Sequence, residues 1–203
     1  MNLRNKMNFI RILLIPVFLI FIIIRKIPFG RSIAAFIFII TAIIGELSKH
    51  VVQGKNEISN LSEIISYLAD KLLIAAALIA LVELHFIPSW IAITIVAMEF
   101  AVTGLTSIVV TEGSVIATSP LDKIKNIFQI ISIIFALLSM NFEKNYEFRK
   151  LIEKIGFFHA HAEGIERFLG YGTYVALGIA VIITIISCIN YFVSNKGLFM
   201  NDK

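Results

Sequence analysis

Charge is scarce in this sequence. Asp, Glu, Lys and Arg make up 16% of its 203 residues, against about 25% in an ordinary soluble domain. That shortage excludes a fully solvated surface. A single cysteine, Cys188, excludes an internal disulfide and leaves the redox compartment open. No basic run of the kind a nucleic-acid backbone requires is present, and the net charge of +4 is scattered, so nucleic acid is not an expected partner. Met1 to Lys6, followed by apolar residues, has the outline of a signal peptide, yet no small-residue cleavage site follows. Residues 1–8 read instead as a short amphipathic segment leading into a first membrane helix. No repeat with a period of about 20–50 residues is visible.

What fills the sequence is apolar residues, 58% of the total, with a mean hydropathy of +0.89. They fall in blocks, which is how a chain solvated by lipid is written. Six blocks predict an all-α membrane protein, a bundle of six transmembrane helices in one domain over 1–203. The expected helices are 9–24, 32–54, 64–84, 89–110, 122–140 and 169–193. The second and fifth are purely apolar over too short a run to cross a hydrocarbon core, which needs about 20 helical residues. Those two helices must therefore continue into polar neighbours, because backbone in lipid stays helical. Arg25-Lys26-Ile27-Pro28-Phe29-Gly30-Arg31 and His85-Phe86-Ile87-Pro88 read as turns, and Trp90 stands where an interfacial aromatic belongs. Lys and Arg are slightly more numerous on the side that would hold both termini, which places the termini in the cytoplasm of a multi-pass cell-membrane protein.

The stretch Leu68-Ala69-Asp70-Lys71-Leu72-Leu73-Ile74-Ala75-Ala76-Ala77-Leu78-Ile79-Ala80-Leu81-Val82-Glu83 resembles the CDP-alcohol phosphatidyltransferase family, in particular its bacterial phosphatidylglycerophosphate synthase branch. The likeness continues through Ile87-Pro88-Ser89-Trp90, Glu99-Phe100-Ala101-Val102-Thr103-Gly104-Leu105, Glu112-Gly113 and Lys123-Ile124-Lys125. Asn5-Lys6, Arg11-Ile12 and Pro16 are similar to the family's amino-terminal helix. The resemblance spans roughly 2–140 and implies six membrane helices, usually in a homodimer. It also implies the joining of CDP-diacylglycerol to an alcohol with release of CMP. The family signature is D-x2-D-G-x2-A-R-x8-G-x3-D-x3-D, whose aspartates hold two divalent cations, usually magnesium. Hard cations on carboxylate oxygens neutralise the pyrophosphate and the leaving nucleotide. The last aspartate also serves as general base for the attacking hydroxyl.

Aligned without gaps from Asp70, this sequence keeps that last aspartate and departs from the signature elsewhere. The third aspartate falls on Ser66, the second on Ser48 and the first on Gly45. The signature glycines fall on Ser62 and Lys49, and the Ala-Arg pair on Val52-Gln53. A gapped register puts the first two aspartates on Thr41 and Ile44, and neither register restores a metal site. The family arginines that grip the acceptor phosphate become Met98 and Thr106, and of that set only Lys123 remains. A thioether and a hydroxyl do not replace two guanidinium forks. The expectation is a phosphatidylglycerophosphate-synthase-like protein of phospholipid metabolism, a pseudoenzyme with no cofactor, binding lipid or regulating a partner. An active phosphatidyltransferase with an altered site, using Mg²⁺, is the first alternative, and a structural membrane subunit the second. Expected partners are membrane lipids, including CDP-diacylglycerol or anionic phospholipid, and a second subunit, either a copy of the chain or an active paralogue.

Each singled-out residue has a plainer reading beside the chemical one. Asp70 in an apolar helix is costly and a functional candidate by default; the plainer reading is a relic paired with Lys71 or with a neighbouring helix. Glu99 reads as a hydrogen-bonding tie within the bundle. Lys123 and Lys125 bind a phosphate or else face lipid headgroups. Lys49 adds positive charge where the family binds cations, and partly substitutes for a missing ion if a lipid or nucleotide phosphate binds without metal. Ser48, Ser62 and Ser66 line a cavity or simply pack helix contacts. His159, His161 and Glu163 read as solvated loop polarity, since residues two apart diverge on a helix and no fourth ligand is evident. Residues 141–168 read as an interfacial amphipathic segment or a partner surface. Gly170, Gly172 and Gly178 let helices approach closely.

Overall fold

The computed structural model of the protein describes residues 3–24, 26–27, 29–50, 60–111, 120–144 and 156–194. These form six helices: α1 (Leu3–Ile23), α2 (Gly30–His50), α3 (Asn60–Glu83), α4 (Ser89–Thr111), α5 (Pro120–Lys144) and α6 (Gly156–Ser194). Among the described residues there is no strand. All six helices are long and apolar enough to cross a membrane, through Lys6–Ile23, Gly30–Ser48, Ile65–Glu83, Ser89–Thr106, Leu121–Glu143 and Gly164–Ser194. An apolar solvent offers no partner to a bare N–H or C=O, so the backbone satisfies itself helically in every span.

The helices overrun the apolar blocks that mark them in the sequence. α1 already begins at Leu3, so most of the 1–8 segment belongs to the same helix rather than to a separate one. α5 continues to Lys144, and α6 starts at Gly156 instead of near 169. At about 1.5 Å per residue, the 39 residues of α6 extend about 58 Å. That is well beyond a hydrocarbon core of about 30 Å. The loop expected around His159, His161 and Glu163 is therefore helical backbone; those three side chains, with Val52-Gln53, Glu112-Gly113 and 145–155, lie outside the described residues.

Two short connections fix neighbouring helices. α3 ends with Phe86 N–H donating to Leu81 O at 2.9 Å and His85 N–H donating to Val82 O at 2.9 Å. His85 takes φ 56°, the left-handed residue such a helix end uses. At the α1–α2 turn, a Cβ on Gly30 would lie 2.8 Å from the carbonyl oxygen of Phe21, so only glycine allows the return.

α1 packs on α2 and α3, α5 on α6, α2 and α3, and α4 on α3 and α6. The core they share alternates large and small side chains. Phe18 and Phe38 meet with ring centroids 5.9 Å apart, beside Ala34, Ala35, Ala77, Ala80 and Ala136. Small residues let helix backbones close up where no aqueous hydrophobic effect drives them together. The outward faces carry Ile, Phe and Val, as a lipid-facing surface does.

Candidate functional site

Two buried polar centres interrupt this apolar core, and they diverge from adjacent residues of α3. Neighbouring positions on a helix point about 100° apart. Asp70 faces α1, and Lys71 faces α4.

In the first centre, Arg11 of α1 forms an ion pair with Asp70 through Nη2 and Oδ1. Its Nε donates to the carbonyl oxygen of Thr41 in α2 at 3.1 Å. Arg11 is 1% exposed. Glycine at 45 explains how the guanidinium reaches that carbonyl: Gly45 lies one turn beyond Thr41 and carries no side chain over it. A Cβ on Gly45 would come within 2.6 Å of Arg11 Cζ. Ser48, buried on the next turn, donates to the Gly45 carbonyl at 2.8 Å. Ser66, one turn before Asp70 and 3% exposed, has a hydroxyl without a hydrogen-bond partner, as has Arg11 Nη1.

The second centre ties four helices together. Glu99 of α4 pairs with Lys71 of α3. It also takes Lys125 of α5, whose Nζ lies 2.9 Å from Oε1, and Gln129, whose Nε2 donates to the same oxygen at 3.0 Å. Gln129 Nε2 also lies 3.0 Å from Thr184 Oγ1 on α6. Lys125 reaches Asp122 at 3.3 Å, and Ser187 of α6 donates to Asp122 at 2.8 Å. Lys71 also sits 4.7 Å from the centre of the Tyr67 ring. Thr106 donates to Val102 O, with the Tyr191 hydroxyl 2.9 Å away.

These placements sort the sequence candidates. Asp70 has a neighbouring-helix partner, Arg11, while Lys71 is occupied by Glu99. Lys125 does not face headgroups: it is 2% exposed between two carboxylates. Lys123, two residues earlier and on another face of α5, is exposed. Gly45 of α2 and Asp70 of α3 meet the Arg11 guanidinium, and Ser48 and Ser66 are buried about one turn away on the same two helices. Lys49 is in α2, its side chain outside the described residues, as is that of Ser62. Arg11 as the partner of Asp70 is the contact that sequence reasoning missed. An arginine in the middle of an apolar helix was the available signal, because such a charge needs an internal partner.

The donor set does not suit a divalent cation. Magnesium is held by oxygens, through one or two carboxylates with waters and substrate phosphates, and a pair of ions asks for more carboxylates than one. Here Asp70 is taken up by a guanidinium, and its companion positions offer a glycine and two hydroxyls. Among the described residues no three His, Cys, Asp or Glu side chains gather closely enough to hold a metal ion.

Comparison with known proteins agrees with the fold. A family model described as CDP-alcohol phosphatidyltransferase matches residues 1–186. The chain is similar to a CDP-diacylglycerol–glycerol-3-phosphate 3-phosphatidyltransferase from Bacillus subtilis (strain 168), with 34% identity over 180 residues, 82% of this chain and 93% of the relative. Proteins of the same description from Rickettsia felis and Rickettsia prowazekii are 26% and 25% identical over 137 residues, 68% of this chain and 75% of each relative.

Proposed function

The chain belongs to the CDP-alcohol phosphatidyltransferase family, and we propose that it is a non-catalytic, lipid-binding member. The names of the relatives give CDP-diacylglycerol and glycerol 3-phosphate as what those proteins act on. This chain is a multi-pass membrane protein of the same phospholipid metabolism, in which scaffold and chemistry have separated. The observation that carries the reading is the first buried centre: the retained aspartate is bound to Arg11, and glycine and serine stand at the other signature positions.

The magnitudes favour loss of turnover. Removing one interaction specific to the transition state typically lowers a rate by about 10²–10³. Three absent carboxylates and two absent guanidinium clamps together remove more than the reaction can spare. What remains suited to lipid is Lys123, exposed near the start of α5, joined by Lys49 of α2. Cations at such positions attract anionic headgroups. The protein works as a copy-with-copy dimer or beside an active paralogue in a bacterial cell membrane, with its termini in the cytoplasm.

A second reading, an enzyme with an altered site, draws support from the survival of Asp70 and Lys123. Thermal unfolding of the purified protein with CDP-diacylglycerol and a chelator tests the proposal. Stabilisation without metal is the expected result, and its absence would remove the lipid-binding role. Co-purification of an active synthase from native membranes would separate a regulatory partner from a structural subunit.

A further inference from the structure

We propose that Asp122 is a resident counter-ion at the second buried centre, whose carboxylate balances the second of its two lysines and so keeps the centre closed to a phosphate dianion. The proposal extends the non-catalytic reading above to the ligand this centre refuses, and it stands on contacts that the Asp70 centre does not share.

The charges of the second centre close without a remainder. Lys71 pairs with Glu99, and Lys125 Nζ lies 2.9 Å from Glu99 Oε1 and 3.3 Å from Asp122 Oδ1. Two ammonium groups thus face two carboxylates. Glu99 by itself would leave one positive charge uncompensated among membrane helices, where burying it is costly. Asp122 supplies the missing negative charge from the first turn of α5, three residues before the lysine it meets.

The other groups around Asp122 are of the kind an anion collects. Ser187 of α6 donates to its Oδ1 at 2.8 Å. Tyr191, one turn further along the same helix, carries its hydroxyl 2.9 Å from Thr106 Oγ1 of α4. An ammonium and a hydroxyl suit phosphate oxygens as well as they suit a carboxylate. Lys125 is 2% exposed and Asp122 22%, so the carboxylate is the outer member of the pair. A dianion brought beside it would be repelled in a medium of weak screening.

Position 122 is therefore a specificity determinant. With aspartate there, Lys125 and Ser187 are both engaged by the chain itself; without it, the two are left to a ligand. Lys123 does not change this balance, since it is exposed on another face of α5.

The test is thermal unfolding of the purified full-length protein in inorganic phosphate and in chloride of the same ionic strength. Phosphate stabilises folded proteins generally by exclusion from their surface, so the native chain sets the baseline. Asp122→Ala removes both the charge and the volume of the carboxylate, while Lys125 keeps Glu99. In saturating phosphate this variant should gain roughly 5 °C more in Tm than the native chain gains. Adding Lys125→Met should erase that extra gain. A phosphate gain in Asp122→Ala no larger than the native one, or an extra gain that survives Lys125→Met, would overturn the proposal.

Should Asp122→Ala fold poorly in chloride, the yield of folded protein decides the matter. Phosphate present throughout purification is expected to raise that yield by a factor the native chain does not show, and an equal response of the two would overturn the proposal. CMP release, assayed separately, bears on the non-catalytic reading alone, so the two claims fail on different readouts.

Discussion

At Gly45 an added methyl group would meet the Arg11 guanidinium, which would have to shift. Gly45→Ala places a Cβ against a guanidinium that is pinned at both ends. Overpacking of this kind costs about 1–3 kcal/mol. The expected outcome is a lower Tm for Gly45→Ala, largely relieved when Arg11→Met is added. Unchanged stability of the single variant would place Arg11 elsewhere. Asp70 and Lys71 show at the same scale why a dipeptide is a poor guide to pairing. They are adjacent and oppositely charged, yet each finds its partner on a different helix.

Between helices, the second centre acts as the tie. Glu99 accepts from α3 and α5, and Gln129 carries the connection to Thr184 on α6. Glu99→Gln leaves Lys71 facing a neutral amide inside the bundle and Lys125 with Asp122 as its remaining carboxylate. Breaking a buried pair costs about 3–5 kcal/mol, so the variant should unfold at clearly lower temperature; an unchanged melting curve would mean that Lys71 does not depend on Glu99. At the far end of the bundle, Asn141 of α5 donates to the Arg31 carbonyl at 3.3 Å and to the Leu137 carbonyl at 2.9 Å, while Ser32 of α2 donates to Asn141 Oδ1 at 2.8 Å. Hydrogen bonds between membrane helices average about 0.6 kcal/mol, so Asn141→Leu should loosen the α2–α5 contact modestly. The turn after α3 offers a change of opposite sign. His85 holds a left-handed backbone at φ 56° with its side chain exposed, and His85→Gly should stabilise by about 1 kcal/mol. A fall in Tm would show that the imidazole has a role of its own.

Over the whole molecule, the six apolar helices found among the described residues were legible from composition. Apolar blocks in a chain poor in charge have one solution in a bilayer. The ends of the helices were not legible, because α5 and α6 carry polar residues past the apolar blocks without leaving the helix. The centre around Asp70 was half legible. Its residues on α2 and α3 stood out through the family signature, whereas Arg11 is some sixty positions from its partner, and no local pattern joins them. The burial of Lys125 was not legible for a related reason: two lysines two apart on a helix look alike in sequence, yet Lys123 faces outward and Lys125 enters the core.

The proposed loss of turnover is the claim on which the functional reading stands. The most direct measurement is CMP release by the purified protein in vesicles containing CDP-diacylglycerol, with glycerol 3-phosphate and magnesium supplied. Release no faster than from protein-free vesicles is the predicted result. Magnesium-dependent turnover at rates comparable with the Bacillus subtilis relative, measured in the same preparation, would contradict it.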